Sequence, residues 1–407
     1  PVGANHQIIK SYMAHHQGMS LLAINNYLND DILIKRFHSH PIIKAGEIML
    51  QERIPANAVI TKEYKESMPG ADRQKRLYQE GIRSYDSINA LPPPCQILTN
   101  GKHSVFINNR GGGFSKIDGT LINRWRGESI EGGYGSYIFI RDLSKDKVWS
   151  AAYEPINEDA EAYNVDFYQS KAEFTRTDND IKTVMEVFVS PEDHVEIRKI
   201  RIENHGHAPV SLELTSFMEV TLTAEAADIA HRAFSNLFVR TEYLEEYKSL
   251  LAVRKPRETD GWERWAFHTS VVEGNASGSM EYETSRVNFI GRGRSIKNPL
   301  AVHQPLSNTS GIVLDPVMSI RRVIRLNAGS SGEISFVTGF GMSRERMREL
   351  IVKYREVSSI QRAYALSATR SQVEGSFLNL DTQDIVNFEK LISHLIYGSP
   401  GRSENRE

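Results

Sequence analysis

The chain has 407 residues, of which 40% are hydrophobic and 25% charged, a composition typical of globular proteins. Its formal net charge of −2 gives no overall attraction to nucleic acid or anionic lipid. A single cysteine, Cys95, excludes an internal disulfide framework and favours a reducing compartment. No apolar run approaches the ~20 residues that a membrane-spanning helix needs, and no signal peptide is visible. The sequence starts at Pro1 rather than a methionine, so we expect a fragment or a processed piece.

The first 55 residues have a helical pattern. Apolar side chains recur with a spacing near 3.6 between Ile9 and Tyr27, which predicts a first helix. Asp30 or Asp31 would cap a short second helix, and Pro41 suits the start of a third over residues 42–53. Three such helices expose more apolar surface than they can bury among themselves. We therefore expect them to be the end of a larger helical domain.

Three polar residues of the first helix are candidate sugar contacts: His15, His16 and Gln17. Adjacent helical side chains point about 100° apart, so the two histidines cannot chelate one metal ion. One interpretation packs one histidine in the core and leaves the other at the surface. The alternative is a helix end that faces a sugar pocket, where imidazole and amide groups bind hydroxyls and Gly18 allows close approach. No metal or cofactor site is predicted.

Changes in pattern predict the remaining boundaries. Residues 56–95 form a charged connector that ends in three consecutive prolines, and residues 96–341 read as nearly all β. Residues 342–397 are predicted to be helical again after Ser343, a good N-cap. A polar, disordered tail is expected over residues 398–407. In the last helix, the side chains expected to face the protein interior are Phe388, Leu391, Ile392 and Leu395.

Short β-prone runs separated by turn residues predict a large antiparallel sandwich with flanking helices. Two turns that contain asparagine and glycine have strands on either side, which is the usual signal for a hairpin. Two hairpins are therefore predicted, residues 195–203 with 210–222 and residues 318–326 with 333–338.

A glycine-rich segment, residues 100–142, carries most of the candidate binding residues. The glycines at 111–113 permit positive φ and close approach of a neighbour or ligand. Aromatic rings offer a sugar an apolar face, and guanidinium groups donate to its oxygens. An alternative is a β-bulge and hairpin region with ordinary surface arginines. The candidate contacts here are Arg110, Gly112, Arg124, Trp125, Tyr134 and Arg141.

Two other segments carry weaker signals for binding. Residues 230–235 read as an irregular loop of mixed chemistry, and residues 291–294 lack the third glycine and following helix of a phosphate-binding loop. Five arginines could form a basic face, but the net charge and the lack of a recognition motif favour solvated strand faces and no nucleic-acid partner. The five arginines are Arg292, Arg294, Arg321, Arg322 and Arg325.

Ordered sequence matches identify a family resemblance over nearly the whole chain. Residues 11–20, 36–38 and 50–55 resemble the end of the glucoamylase-like domain of cyclic β-1,2-glucan synthases. The segments at 98–101, 110–113, 124–126, 135–142, 189–193 and 233–238 resemble the N-terminal sandwich of their phosphorylase-like region, glycoside hydrolase family ninety-four. The resemblance implies a galactose-mutarotase-like super-sandwich, preceded by helices of a truncated (α/α) barrel and followed by a helical linker.

The resemblance also implies partners. They are β-1,2-glucan or a related β-glucooligosaccharide, flanking catalytic barrels of the same parent and a second copy in a homodimer. It implies a cytoplasmic chain whose parent is anchored in the inner membrane through other segments. Glycosidic chemistry needs a placed carboxylic acid and a nucleophile or base opposite it. Glu47 and Glu52 are the carboxylates well inside the third helix, and no catalytic residue is assigned. The rival interpretations are a self-contained glucan phosphorylase or transferase and a structural spacer without ligand.

Overall fold

The computed structural model describes residues 14–40, 43, 81–126, 133–256, 262–273, 276–378 and 380–397. The chain divides into two units, Pro1–Arg76 and Leu77–Glu407. Almost all of the predicted third helix, with Glu47 and Glu52, lies outside the described residues, as do most of the predicted connector and the whole tail. In the described part, no helix is both long and apolar enough to cross a bilayer.

The first unit contains helices α1 (Ala14–Leu28) and α2 (Ile32–Ser39), as predicted. None of the residues of α1 is buried, and Leu21 and Tyr27 are 68% and 87% exposed. The expected excess of apolar surface is therefore present on these helices. Asp31 lies at the N-cap of α2, but with φ 58° its side chain makes no cap hydrogen bond, so the predicted capping is wrong in its chemistry.

The described part of the second unit is built from eighteen antiparallel strands. They are, in chain order, β1 (Arg83–Tyr85), β2 (Cys95–Thr99), β3 (His103–Asn108), β4 (Gly113–Ile117), β5 (Thr120–Asn123), β6 (Ser136–Asp142), β7 (Lys147–Ser150), β8 (Ala162–Phe167), β9 (Ala172–Asp178), β10 (Ile181–Val189), β11 (Val195–Asn204), β12 (Val210–Ala224), β13 (Val239–Leu244), β14 (Ser249–Arg254), β15 (Arg264–Glu273), β16 (Ala276–Ser285), β17 (Pro316–Leu326) and β18 (Ser331–Gly341). Strand β1 falls within the predicted connector, so the sheet already includes part of residues 56–95.

These strands form two sheets of nine. The first sheet has the order β1-β8-β9-β10-β11-β18-β15-β14-β13, and the second runs β16-β17-β12-β5-β4-β3-β2, with β6 paired to β12 and to β7. Aliphatic and aromatic side chains from both sheets, such as Ile107, Ile140, Phe174 and Ile200, share one buried core. Burying one such side chain stabilises the fold by about 1.5–3 kcal/mol. The predicted antiparallel sandwich is confirmed.

The two predicted hairpins are wrong, although their strands are present. β11 pairs with β10 and β18 in the first sheet, whereas β12 pairs with β17, β5 and β6 in the second. β17 and β18 are likewise in different sheets. Both turns therefore carry the chain from one sheet to the other, and the Asn204 amide donates to the carbonyls of Ala208 (2.8 Å) and Asn327 (3.1 Å). A turn signal shows that the chain reverses, but not whether the next strand stays in the same sheet.

Short helices lie between the strands, and longer ones follow them. They are α3 (Glu225–Ala230), α4 (Arg232–Asn236), α5 (Arg286–Ile290), a 3₁₀ turn (Leu300–Val302), α6 (Arg344–Tyr354), α7 (Val357–Phe377) and α8 (Thr382–Ile396). The predicted irregular loop at 230–235 is therefore wrong, since α3 and α4 occupy it. Ser343 caps α6 by accepting from the Arg346 N–H, as predicted. Met347 and Leu350 of α6 pack on the first sheet against Phe188 and Phe267, so helices form a third layer.

Helix α8 is confirmed, but its orientation differs from the prediction. Its buried residues are Ile385 and Ser393, and the Ser393 hydroxyl lies 3.2 Å from the Cys95 sulfur. Ile392 packs against an aromatic cluster of the second sheet. Phe388, Leu391 and Leu395, which were expected to be buried, are 58%, 54% and 75% exposed. The helix carries two apolar stripes, and periodicity alone does not select the one that packs.

Candidate functional site

The β3–β4 turn is held in shape by one asparagine. The Asn108 side-chain oxygen accepts from the backbone N–H groups of Arg110 and Gly112, both at 3.0 Å. Gly111 has φ +94°, and a Cβ built there would lie 2.4 Å from the Ala152 Cβ. A Cβ on Gly112 would lie 2.6 Å from a carboxylate oxygen of Glu154. The glycines therefore let the turn close against the segment that follows β7.

That segment carries a buried acid, Glu154. The Glu154 backbone N–H donates to the Arg110 carbonyl at 2.7 Å, which joins the two loops. The Tyr137 hydroxyl donates to Glu154 Oε2 at 3.0 Å, and Arg110 Nε lies 3.9 Å from Oε1. We call Arg110, Gly112, Tyr137 and Glu154, together with the backbone of Gly133, the Glu154 site.

Burial dominates the electrostatics of this site. Burial raises the pKa of the Glu154 carboxyl above its ordinary value, although hydrogen bonds from Tyr137 and Gly133 and the charges of Arg110 and Lys297 act in the opposite direction. Burial and the Glu154 charge raise the pKa of Tyr137. A carboxyl with a raised pKa beside a guanidinium is characteristic of functional sites. It can accept from or donate to a hydroxyl group, according to its protonation.

The site reaches solvent through half-buried side chains. The Arg110 side chain is 20% exposed, and its guanidinium carbon lies 5.2 Å from the centre of the Tyr153 ring. The Tyr163 hydroxyl donates to the Asn109 carbonyl at 2.8 Å and so helps to hold the β3–β4 turn in place. Tyr134 is half-buried beside it, and its carbonyl accepts from the Gly113 N–H at 3.0 Å. The Arg110 guanidinium and the half-buried rings of Tyr134 and Tyr153 are thus the groups through which this site reaches solvent, with the Glu154 carboxyl buried behind them. Guanidinium donors and aromatic rings are a combination suited to a polyhydroxylated ring.

Arg124 and Trp125 lie in the interior rather than at this surface. Arg124 is 1% exposed, donates to both carboxylate oxygens of Asp228 at 2.8 and 2.9 Å, and also pairs with Glu219. Trp125 is 6% exposed and packs within 5.6 Å, centre to centre, of the rings of Phe106 and Phe114. Both residues stabilise the sandwich in this structure, and their contact with a sugar stays a prediction.

The other candidate residues occupy separate positions. Arg141 pairs with Asp146 at 2.7 Å and Glu213 at 3.4 Å, on another part of the second sheet. Arg321 was expected on a solvated strand face, but it is 2% exposed and bonds to Thr215 at 2.9 Å, so that prediction is wrong. The buried guanidinium of Arg321 donates hydrogen bonds to backbone carbonyls of the segment around the 3₁₀ turn.

His15, His16 and Gln17 belong to the first unit. All three are exposed, and the two imidazole rings lie 4.1 Å apart, edge to face. The interpretation with one histidine in a packed core is therefore wrong for the described helix. Across the described residues of both units, no group of three or more histidine, cysteine or acidic side chains could hold a metal ion.

Sequence reasoning missed Glu154 and Tyr153. The available signal was a single acid within an otherwise small and apolar run, residues 151–156. Such an acid has either a buried partner or a ligand. Its partners Tyr137 and Arg110 were both within the singled-out glycine-rich segment, but the acid itself came twelve residues after its end.

One family model and two relatives match this chain. The model described as "Glycosyl hydrolase 94, supersandwich domain" matches residues 79–357. The chain is 29% identical over 399 residues to "Cyclic beta-(1,2)-glucan synthase NdvB" of Rhizobium meliloti (strain 1021), covering 98% of this chain and 14% of that protein. It is 23% identical over 282 residues to "N,N'-diacetylchitobiose phosphorylase" of Vibrio furnissii, covering 68% of this chain and 34% of that protein. The chain thus spans well under half the length of either relative.

Two solved structures are also similar. A putative kojibiose phosphorylase from human microbiome has a TM-score of 0.40 at 11% identity and covers 68% of this chain and 34% of its own. A bacterial glucoamylase in complex with acarbose has a TM-score of 0.37 at 12% identity, with 72% and 40% covered.

Proposed function

This chain belongs to the glycosyl hydrolase 94 supersandwich family, and we propose that its sandwich binds or frames β-glucan beside a catalytic barrel of a cyclic β-1,2-glucan synthase. The ligand is β-1,2-glucan or a related β-glucooligosaccharide. The carbohydrate role has its support in the relatives, whose names describe a β-(1,2)-glucan synthase and a diacetylchitobiose phosphorylase.

The observation that carries the proposal is the convergence on Glu154. Arg110 and Gly112 are candidate sugar contacts from sequence. In the fold Arg110 Nε lies 3.9 Å from the buried acid, and Gly112 leaves the space that a side chain would take from its carboxylate. Arg110, Tyr134 and Tyr153 offer donors and aromatic surface at the protein exterior. The Glu154 carboxyl lies 3.9 Å from Arg110 Nε, and a charged neighbour that restricts a guanidinium lowers the entropy lost when a sugar binds. Arg124 and Trp125 contribute indirectly, because they stabilise the sandwich that carries the site.

The proposed partners include flanking barrels and a second copy of the chain. The exposed apolar side chains of α8, Phe388, Leu391 and Leu395, support a neighbouring domain on that helix, because large apolar groups gain free energy when they are covered. The segments before and after the sandwich would be the end of one barrel and the linker to the next. We also propose a cytoplasmic location, for which the single, buried thiol of Cys95 is the support, and inner-membrane anchoring of the parent elsewhere.

A calorimetric titration with β-1,2-linked glucotetraose tests the proposal. We expect the chain to bind the sugar and Arg110→Ala to weaken binding about tenfold, the effect of losing roughly one charge-assisted hydrogen bond. Arg201→Ala is the matched control, since Arg201 lies on β11 with its side chain 48% exposed. Its affinity should equal that of the unchanged chain.

Three outcomes would contradict the proposal. Equal affinity of the Arg110→Ala and Arg201→Ala variants for the sugar would show that the Glu154 site does not bind it. No binding by the chain, and none by a longer synthase that carries the flanking barrels, would favour a structural spacer. Release of glucose 1-phosphate from the oligosaccharide and phosphate by the chain alone would instead establish a self-contained phosphorylase.

A further inference from the structure

A cleft separate from the Glu154 turn is lined by residues of both sheets. Its volume is about 580 Å³, within the range of small-molecule sites. One wall comes from β7 and the turn before it in the second sheet, and the facing wall from the β9–β10 turn of the first. The remaining sides are the β7–β8 connection and the segment around the 3₁₀ turn. We call it the Trp149 cleft, lined by Asp146, Lys147, Val148, Trp149, Ile156, Glu158, Asp159, Glu161, Asp178, Asn179, Lys297, Asn298, Pro299, Val302 and His303.

The walls of the cleft are preorganised. Lys147 Nζ donates to the Asn179 side-chain oxygen at 2.8 Å and so bridges the two sheets. The Asn179 backbone N–H donates to Glu161 at 3.1 Å. Arg176 holds both carboxylate oxygens of Asp178 at 2.7 and 3.0 Å. A ligand would therefore meet fixed polar groups rather than having to order them.

The cleft has an apolar base and a polar rim. Trp149 is 3% exposed, and its indole N–H has no acceptor among the described residues, although buried indole donors normally find one. Glu158 and Asp159 are exposed on the rim, where no hydrogen bond or ion pair within the described part of the chain engages them. Lys297 and His303, also exposed, supply donors on the other side.

The lining chemistry selects the class of ligand. Of the five carboxylates that line the cleft, Asp146 and Asp178 are paired with arginines. The other three face two lysines, a small excess of negative charge that disfavours phosphates and other anions. A metal ion is disfavoured too, because no suitable group of three ligands occurs among the described residues. Interleaved donors and acceptors above apolar carbons match a neutral molecule whose hydroxyls both donate and accept. We propose that the Trp149 cleft is a second carbohydrate-binding site that takes a neutral oligosaccharide.

The choice of β-1,2-linked glucose rests on the proposed function, whereas the cleft itself does not. Lys297 lies on the cleft and also acts on Glu154, so it cannot separate the two sites. Glu158 and Asp159 are outside the Glu154 site and are the better positions to change. The double variant Glu158→Ala/Asp159→Ala removes two rim acceptors, and Asn298→Trp fills the cleft from an exposed position.

The test is a calorimetric titration of the full chain with β-1,2-linked glucotetraose. We expect two equivalents to bind the unchanged chain. The double variant should lose about tenfold in affinity at one of them, and Asn298→Trp should lose that equivalent altogether. Glu245→Ala/Glu246→Ala, which removes two exposed carboxylates from the β13–β14 turn, is the matched control and should bind as the unchanged chain does.

The remaining outcomes distinguish the Trp149 cleft from the Glu154 site. Unchanged stoichiometry and affinity in both cleft variants would overturn the inference, and loss of binding in Arg110→Ala alone would then leave the proposed function standing. Loss in the cleft variants with no effect of Arg110→Ala would support the cleft and contradict the Glu154 site. Absence of sugar binding, or binding of Ca²⁺ or spermidine in its place, would overturn the cleft as a carbohydrate site.

Discussion

Because Glu154 is buried, the stability of the folded chain depends on the protonation of its carboxyl. Its pKa is raised in the folded chain, with burial as the largest cause, so between the unfolded and folded pKa values the folded state binds more protons. Its contribution to stability is therefore fully present below the unfolded value and is lost as pH rises. The Tyr137 hydrogen bond and the Arg110 charge reduce this loss without cancelling it.

The free energy of unfolding of Glu154→Gln, relative to the unchanged chain, should increase with pH above about 4.5, the ordinary glutamate range. The upper limit of the slope is about 1.4 kcal/mol per pH unit. Chemical denaturation between pH 4 and 8 measures it. Glu245→Gln, in an exposed turn, is the control for the exchange of a carboxylate for an amide, and the rise for Glu154→Gln should exceed any change that it shows. A difference for Glu154→Gln that changes no more than that of the control would show that burial does not perturb this acid.

Arg124 and Arg141 differ in what surrounds them, although the same reasoning selected both from sequence. Arg124→Ala leaves the buried carboxylates of Asp228 and Glu219 without their main cation, and breaking a buried pair costs about 3–5 kcal/mol. Arg141→Ala breaks a pair with Asp146, whose side chain is 67% exposed, and should cost less than about 1 kcal/mol. Denaturant unfolding of the two variants makes the comparison. Equal losses would place Arg124 outside the stabilising core.

The type of these residues could be predicted from sequence, but their burial could not. Arginine beside tryptophan suits both a sugar platform and a core ion pair. The decision rests on Asp228 and Glu219, more than ninety residues further along the chain. Glu154 was missed for the related reason that its burial depends on the close approach of Gly112, a contact between segments distant in sequence.

At the scale of elements, the two turns between the sheets are joined by Asn204. Its amide donates to Ala208 and Asn327, and its oxygen accepts from the Gly206 N–H at 3.0 Å. Asn204→Ala should lower the free energy of unfolding by about 1 kcal/mol, because partly buried backbone carbonyls lose their donor. Asn327→Ala is the control, since Asn327 contributes its backbone carbonyl and its side chain is exposed. Denaturant unfolding that gives both variants the same stability would contradict this role.

Strand positions followed from alternation of apolar and polar residues, whereas partners did not. β11, β12, β17 and β18 lie within a few residues of the predicted runs. Their assignment to two sheets depends on side-chain packing across the core, which a local pattern does not contain. The packed face of α8 also depends on contacts between segments distant in sequence. Glu389 accepts hydrogen bonds from Arg83 at 2.9 Å and Gln96 at 3.0 Å, and these bonds select the side of the helix that packs.

At the scale of the molecule, the second unit is a layered sandwich with two distinct polar surfaces. One is the Glu154 site on the glycine-rich turn, and the other is the Trp149 cleft between the sheets. The family match over residues 79–357 includes both, whereas the segments that carried the sequence resemblance contain Arg110 and Tyr137 but none of the residues that line the cleft. Composition gave no overall attraction to nucleic acid or anionic lipid and could not locate a site, since the contacts that form one join distant strands.

The most direct test of the central claim is a crystal structure of the chain with β-1,2-linked glucotetraose. We expect a glucose unit within hydrogen-bond distance of the Arg110 guanidinium, against Tyr153 or Tyr134 and above Glu154. A saturating complex in which the sugar lies elsewhere and Arg110 has no contact with it would contradict the claim.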